Sequence, residues 1–315
     1  MDSSTFRIGT MAGAALAALC ASAVPAGAVE TGLSIYLKGS TAFMSGILPP
    51  EPGAYVTTTY YYYNGTADAE VRDGRVELGI DTTLNAGLLT GTFVTDWKFL
   101  GGQYAFGATI DYLGVDLAAT IATQLGDRHI SLGNDGIGDS IVTPIILGWH
   151  DGNLHWNTGL SVYVPTGSYS NGELNTGRNI WALFPQFGMT YFDPKSGLDV
   201  SGTLTYVTMT KNDATDYQSG DILQLDWAIG EHFGEKGAWE AGIAGNLVEQ
   251  IGADSGSGAQ LGPFKAESFG LGPAVSYQTV LGHVPVNFGV RWEHDLTHHN
   301  TFDGDVVSVS ATAVL

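Results

Sequence analysis

Eight residues near the C-terminus decide the fold: Val286-Asn287-Phe288-Gly289-Val290-Arg291-Trp292-Glu293. Val286, Phe288, Val290 and Trp292 share one face, and Asn287, Gly289, Arg291 and Glu293 the other, the period of two that belongs to a strand. The apolar face carries the large side chains, and the opposite face mixes small residues with charges. The same division recurs nearby, where Phe269, Leu271, Pro273, Val275 and Tyr277 oppose Gly270, Gly272, Ala274, Ser276 and Gln278. At the C-terminus Val307, Val309, Ala311, Ala313 and Leu315 oppose Ser308, Ser310 and Thr312. Residues 104–112, 154–164, 181–191, 223–229 and 239–247 show it as well.

Working outward, about twelve such strands start near residues 54, 83, 103, 139, 154, 179, 198, 221, 238, 268, 285 and 304. The connections between them alternate in length. Short ones carry turn chemistry, such as His150-Asp151-Gly152-Asn153 and Asp193-Pro194-Lys195-Ser196-Gly197. Those at 64–82, 118–138, 165–178, 211–220, 252–267 and 294–303 are mostly longer and polar. An even number of antiparallel strands, with short turns at one end and long loops at the other, is the pattern of an outer-membrane barrel. A soluble sandwich has no physical reason to sort its loops in this way. The expected fold is therefore all-β: a single antiparallel transmembrane β-barrel of about twelve strands (range about ten to fourteen), with short periplasmic turns and longer external loops. Pro144, Pro185 and Pro273 fall within these strands, where each removes a ladder donor, so irregular pairing is expected there.

Composition agrees with a lipid-facing wall. Of 315 residues 44% are hydrophobic and only 14% charged. A lysine or arginine facing lipid at the midplane costs about 2–4 kcal/mol. Asp111, Asp226, Glu240, Arg291 and Glu293 all fall on the small, polar face of their strands. Tyr55, Trp97, Trp149, Tyr191 and Trp239 stand near strand ends, where amphipathic rings form interfacial girdles. The 44 glycines argue against a helical protein. A formal charge of -20 excludes nucleic acid as a partner, because phosphate contacts need basic side chains.

Residues 1–28 read as a cleaved signal peptide: Arg7, an apolar run from Met11 to Ala23, and the small-residue site Ala26-Gly27-Ala28. Cleavage there removes Cys20, the one cysteine, so disulfides take no part in stability. Residues 29–53 lack clean alternation and carry Gly39, Gly46, Pro49, Pro50 and Pro52. They read as either a periplasmic tail or a lumenal plug. The plug is favoured because Leu33, Ile35, Tyr36, Phe43, Met44, Ile47 and Leu48 need a dry environment; Phe43, Met44, Ile47 and Leu48 are its candidate residues. The barrel is expected to occupy residues 54–315.

Several motifs in order then point to a family. They are Gly46-Ile47-Leu48-Pro49-Pro50-Glu51-Pro52-Gly53-Ala54-Tyr55 leading into Tyr60-Tyr61-Tyr62-Tyr63, Gly138-Asp139 with Pro144 and Gly148-Trp149, and Val164-Pro165-Thr166-Gly167-Ser168-Tyr169. Asn179 and Trp181 ahead of Pro185, and Thr215-Asp216-Tyr217-Gln218-Ser219-Gly220-Asp221 before Asp226-Trp227, complete the set. Together they resemble the outer-membrane family named for the meta-pathway of phenol degradation. The resemblance implies a β-barrel linked to entry of hydrophobic or aromatic compounds, and it carries over no binding residues. Leu315 departs from the terminal aromatic usual in outer-membrane barrels.

Asp96, Asp111, Asp226, Glu240, Arg291 and Glu293 are the candidate lumen-lining residues, and an acidic lumen disfavours anions. No catalytic residue, metal ligand or cofactor is expected. Glu293-His294-Asp295-Leu296-Thr297-His298-His299 reads as a solvated external loop rather than a metal site, and no G-x-S-x-G is present. The function expected is an outer-membrane channel for small hydrophobic or aromatic solutes, by passive or gated diffusion. Outer-membrane lipid, lipopolysaccharide and the barrel-assembly machinery are the other expected partners. A barrel enzyme acting on lipids or esters, and a non-conducting structural or adhesive barrel, are the alternatives.

Overall fold

The computed structural model describes residues 34–70, 77–121, 128–259, 263 and 265–315. The expected signal peptide and Leu33 lie outside them. The described strands are β1 (Gly53–Glu70), β2 (Glu77–Phe99), β3 (Gly102–Ile121), β4 (Arg128–Ile137), β5 (Ser140–Asp151), β6 (Leu154–Val164) and β7 (Ala182–Asp193). They continue as β8 (Leu198–Met209), β9 (Ile222–Phe233), β10 (Trp239–Gln250), β11 (Glu267–Leu281), β12 (Val284–His299) and β13 (Asp303–Val314). Every pairing is antiparallel, and β1 pairs with β13 from Tyr55↔Val314 to Thr66↔Asp303, closing the sheet on itself. Closure removes the unpaired edges that lipid does not tolerate. β4 and β5 pair with successive stretches of β3 and meet at Gly138-Asp139, so they are two parts of one stave in a twelve-strand barrel.

The alternation read from sequence is the inside–outside code. Phe288, Val290 and Trp292 are exposed on the outer surface while Arg291 and Glu293 are buried. Phe106, Ile110, Phe187, Ile229, Ile243 and Val309 continue the apolar belt around the barrel. Cross-strand ring pairs mark the periplasmic rim: Trp97 with Tyr104 and Trp149 with Trp156 at 6.4 Å, and Trp239 with Tyr277 at 4.4 Å. Pro144 coincides with a register shift on β5 between Val142 and Ile145, as expected for a missing donor.

The described residues of two of the expected external loops are largely strand. β1 runs on to Glu70 and β2 begins at Glu77, within the stretch read as the loop 64–82. β3 extends to Ile121, and β4 fills much of the stretch read as the loop 118–138. β12 likewise continues to His299, into the segment read as loop. The reason on β2 and β3 is physical. Above the bilayer the outer face meets water, so the alternation inverts. Ile80, Leu84 and Val115 turn inward, while Asp81 and Asp116 are exposed outside. An inverted polar-out pattern reads as loop when lipid-out is the template.

The long loops 165–181 and 210–221 and the stretch 251–259 fold against one another over the outer mouth. Asp139 takes Gly167 N–H at 2.7 Å and Arg178 N–H at 2.6 Å, which places the Gly138-Asp139 and Pro165-Thr166-Gly167 motifs in one knot. Asp216 accepts from Lys211 Nζ at 2.6 Å and Ser257 Oγ at 2.5 Å, tying the loop after β8 to the loop after β10. Asp254 accepts from Tyr217, Gly220 N–H and Gln250.

Candidate functional site in the barrel interior

The interior has two unlike walls. On β1, β2, β3 and β13 it is apolar, with Tyr61, Tyr63, Leu84, Ala86, Val115 and Val306 buried together and Leu88 and Leu113 packed beside them. On β7–β12 it is polar below an apolar outer end formed by Phe184, Val207, Ile222 and Val248, with Thr190, Asp199, Asp226, Glu240, Asn246 and Glu293 all nearly inaccessible. Of the expected lumen residues, Asp226, Glu240, Arg291 and Glu293 face this interior. Asp111 is only partly buried and stands beside Gly138, and Asp96 is exposed at the periplasmic end of β2 where pairing is irregular.

Residues 34–52 run inside the barrel along the polar wall. From the periplasmic end, Pro50 O accepts Gln103 Nε2, Leu48 lies against Gly148, and Ser45 O accepts Asn157 Nδ2 at 2.8 Å. Gly46 N–H donates to Thr190 Oγ1 at 2.8 Å, and Met44 N–H to Asp199 Oδ2 at 2.8 Å. The Phe43 ring packs on the bare backbone of Gly230. Higher up, Asp226 collects Gly39 N–H at 3.0 Å, Ser40 Oγ at 3.2 Å and Thr41 N–H at 3.4 Å, and Gln224 Nε2 donates to it at 3.0 Å. Arg291 donates to Thr41 O at 2.9 Å, and Lys38 pairs with Asp295 at 2.8 Å. At the top, Ile35 and Tyr36 are buried among Tyr163, Ile180, Phe184, Val207, Ile222 and Val248.

The sequence reading singled out Phe43, Met44, Ile47 and Leu48 in this segment; all four are half-buried. The deeper contacts belong to Ile35 and Tyr36, and the polar grip belongs to backbone N–H groups, which carry no residue signature. Those N–H groups explain why the interior acids stand where they do. A buried carboxylate is costly unless charge-assisted donors satisfy it, and the segment supplies them from its main chain.

Between the segment and β1 is a small cleft of about 40 Å³, lined among others by Tyr36, Leu37, Lys38, Tyr61, Tyr63 and Leu84. A dry cavity able to hold benzene is about 150 Å³. With the segment in place, no aromatic solute fits this cleft.

Near the periplasmic end, Asp199, Glu240 and His232 lie together, with His232 Nε2 at 3.3 Å from Glu240 Oε2. Ser201 Oγ donates to Asp199 Oδ1 at 2.6 Å, and Ser276 Oγ to Glu240 at 3.2 Å, so these hydroxyls engage carboxylates rather than a histidine. The histidines at 294 and 298 pair with Asp305 at 3.3 Å and Asp303 at 3.9 Å. Among the described residues no group of three or more His, Cys, Asp or Glu side chains is placed to hold a metal.

The COG4313 outer membrane channel from Pseudomonas putida F1 superposes with a TM-score of 0.65 at 17% identity, over 86% of this chain and 98% of that one. The transport unit of the autotransporter AIDA-I from Escherichia coli matches at a TM-score of 0.46 and 11% identity, over 90% of this chain and 95% of that one, too distant to add to the argument. No curated protein matches the sequence. The closed sheet, lipid-facing belt and aromatic rims are those of a bacterial outer-membrane barrel. Residues 60–311 match the family described as "Putative MetA-pathway of phenol degradation", and the chain belongs to that family.

Proposed function

We propose that the protein is an outer-membrane channel for small hydrophobic or aromatic solutes, gated by residues 29–53 acting as a lumenal plug. The observation that carries this reading is the division of the interior. The segment lies on the acidic wall, and the outer part of the opposite wall on β1–β3 is apolar, above a polar level where Thr90 and Thr109 join side chain to side chain at 2.8 Å. A solute with little polarity gains by following that surface, at about 25 cal/mol for each Å² of apolar area removed from water. The cleft of about 40 Å³ beside the segment is too small for a ring, so passage along it needs the plug to shift. Twelve strands enclose less than the open porins do, which suits selective passage over bulk diffusion.

No covalent chemistry is needed, and the barrel-hydrolase alternative gains no support from Ser201 or Ser276. Insertion through the barrel-assembly machinery, and contact of the acidic external loops with lipopolysaccharide through divalent cations, belong to the same reading. The test is planar-bilayer conductance together with uptake of labelled aromatics into liposomes. Uptake that saturates and tracks reconstituted protein supports the channel; a closed barrel with neither conductance nor uptake overturns it.

A further inference from the structure

The hairpin that joins β5 to β6 brings two histidines together at the periplasmic mouth of the barrel. His150 pairs with His155 across the ladder, between the pairs Trp149↔Trp156 and Asp151↔Leu154. Side chains alternate along a strand, so His150 shares the face of Gly148, and His155 that of Asn157. That face is the lumen, because Leu48 lies against Gly148 and Asn157 Nδ2 donates to Ser45 O. Trp149 and Trp156 stack on the opposite face, and Trp149 Nε1 donates to Leu100 O at 3.1 Å, which stiffens the hairpin. The two imidazole centroids are 6.0 Å apart, with 35° between the ring planes. Imidazole nitrogens bind Zn²⁺ at about 2.0–2.1 Å, so two rings on one ion stand roughly 5–6 Å apart. Directly opposite positions on paired strands supply that spacing with no movement of the backbone. His232, His294 and His298 each face a carboxylate. His150 and His155 differ: among the described residues neither makes a hydrogen bond or an ion pair, so their ring nitrogens are open to a ligand.

We propose that His150 and His155 form a binding site for one divalent transition-metal ion at the periplasmic mouth of the lumen. One nitrogen of each ring ligates the ion, and water fills the remaining positions, since among the described residues no third His, Cys, Asp or Glu is placed to join them. Two neutral imidazoles suit zinc, nickel and copper, whereas calcium and magnesium take oxygen ligands. A structural zinc site has four protein ligands; with two, this ion exchanges with the periplasm and takes no part in holding the fold. Binding here is independent of the proposed passage of aromatic solutes.

The test is calorimetric titration of the untagged full-length protein in detergent with Ni²⁺. Wild type should bind a single ion with saturation, and excess Ca²⁺ should not compete for it. Loss of a partner that merely orients a ligand costs about 10–100-fold in metal affinity, so His150→Ala and His155→Ala should each weaken binding by roughly tenfold or more. His298→Ala combined with His299→Ala removes imidazoles from the outer end and should leave the affinity unchanged. If His150→Ala does not fold into a heat-modifiable barrel, His150→Gln takes its place with the same expectation. No saturable binding, wild-type affinity in His150→Ala and His155→Ala, or an equal loss in the outer variant overturns the site. Conductance reads where the ion sits, and that measurement rests on the channel proposed above. Saturating Ni²⁺ should lower the conductance of wild type and leave that of His155→Ala unchanged; an equal fall in both overturns the placement at the mouth. Calorimetry needs no conduction, so a barrel that binds Ni²⁺ and passes no current overturns the channel and leaves the site.

Discussion

At the scale of single residues, the polar grip on the plug reduces to a few atoms. Asp226 receives two backbone N–H groups and a serine hydroxyl from residues 39–41. A hydrogen bond to a charged group contributes about 1.5–3 kcal/mol, and each buried donor left unpaired costs about 1–3 kcal/mol. Asp226→Ala is therefore expected to raise the open fraction of the channel tenfold or more, since about 1.4 kcal/mol is a factor of ten. Single-channel recording measures it, and an open probability equal to wild type counts against the latch. Gly46 supplies an independent probe. A Cβ there would run into the main chain of Met189 and Thr190, whose hydroxyl holds Gly46 N–H. Gly46→Ala should lift the plug from the wall and increase conductance, with the barrel itself unharmed. Neither role was legible in the sequence. Asp226 could be placed on the inward face by counting, but what it faces comes from residues nearly two hundred positions away.

At the scale of elements, the proposed plug is held to the wall by a defined set of contacts. Removing residues 34–48 strips every tie between the segment and Asp199, Asp226, Arg291 and Asp295. Ion conductance should rise well beyond the single-residue variants, and an unchanged value would refute the gate. The loop tie through Asp216 has a definite pH response. Lys211 and then Ser257 hold its carboxyl well below the usual range, so the folded form keeps the charge. Stability from that tie is present above the unfolded value of about 3.9 and drains away as pH falls through the lowered folded one. Proteolysis within residues 252–259 should therefore be insensitive to pH near neutrality and rise only in strong acid. Asp216→Asn should show the faster cleavage at neutral pH already. Strand positions were largely legible at this scale, because ten of the expected starts lie within one residue of those observed. The loops at 64–82 and 118–138 were misread because the walls of β1–β4 rise into water, where apolar residues turn inward.

At the scale of the whole molecule, the balance of charge in the interior predicts the sign of selectivity. Asp199, Asp226, Glu240, Glu293 and Asp295 face the interior, opposed chiefly by Lys38 and Arg291. With the plug displaced, Lys38 leaves with it and the acids lose their amide donors. The potential in the lumen then becomes more negative, and a salt gradient across the bilayer should give a reversal potential of cation sign. Anion preference would contradict the assignment of these acids to the conducting path.

The barrel, its compartment and its strand rhythm are already written in the alternation along the chain. A wall between lipid and lumen forces a period of two onto every stave, and that constraint is local enough to read residue by residue. The placement of residues 34–52, the apolar outer part of the β1–β3 wall opposite buried acids, and the packing of Tyr36 on Phe184 come from the folded chain. Those facts depend on backbone N–H groups and on pairs of residues brought together by closure of the sheet. Main-chain donors are the same at every position, and closure joins parts of the chain far apart in sequence, so neither leaves a pattern along it.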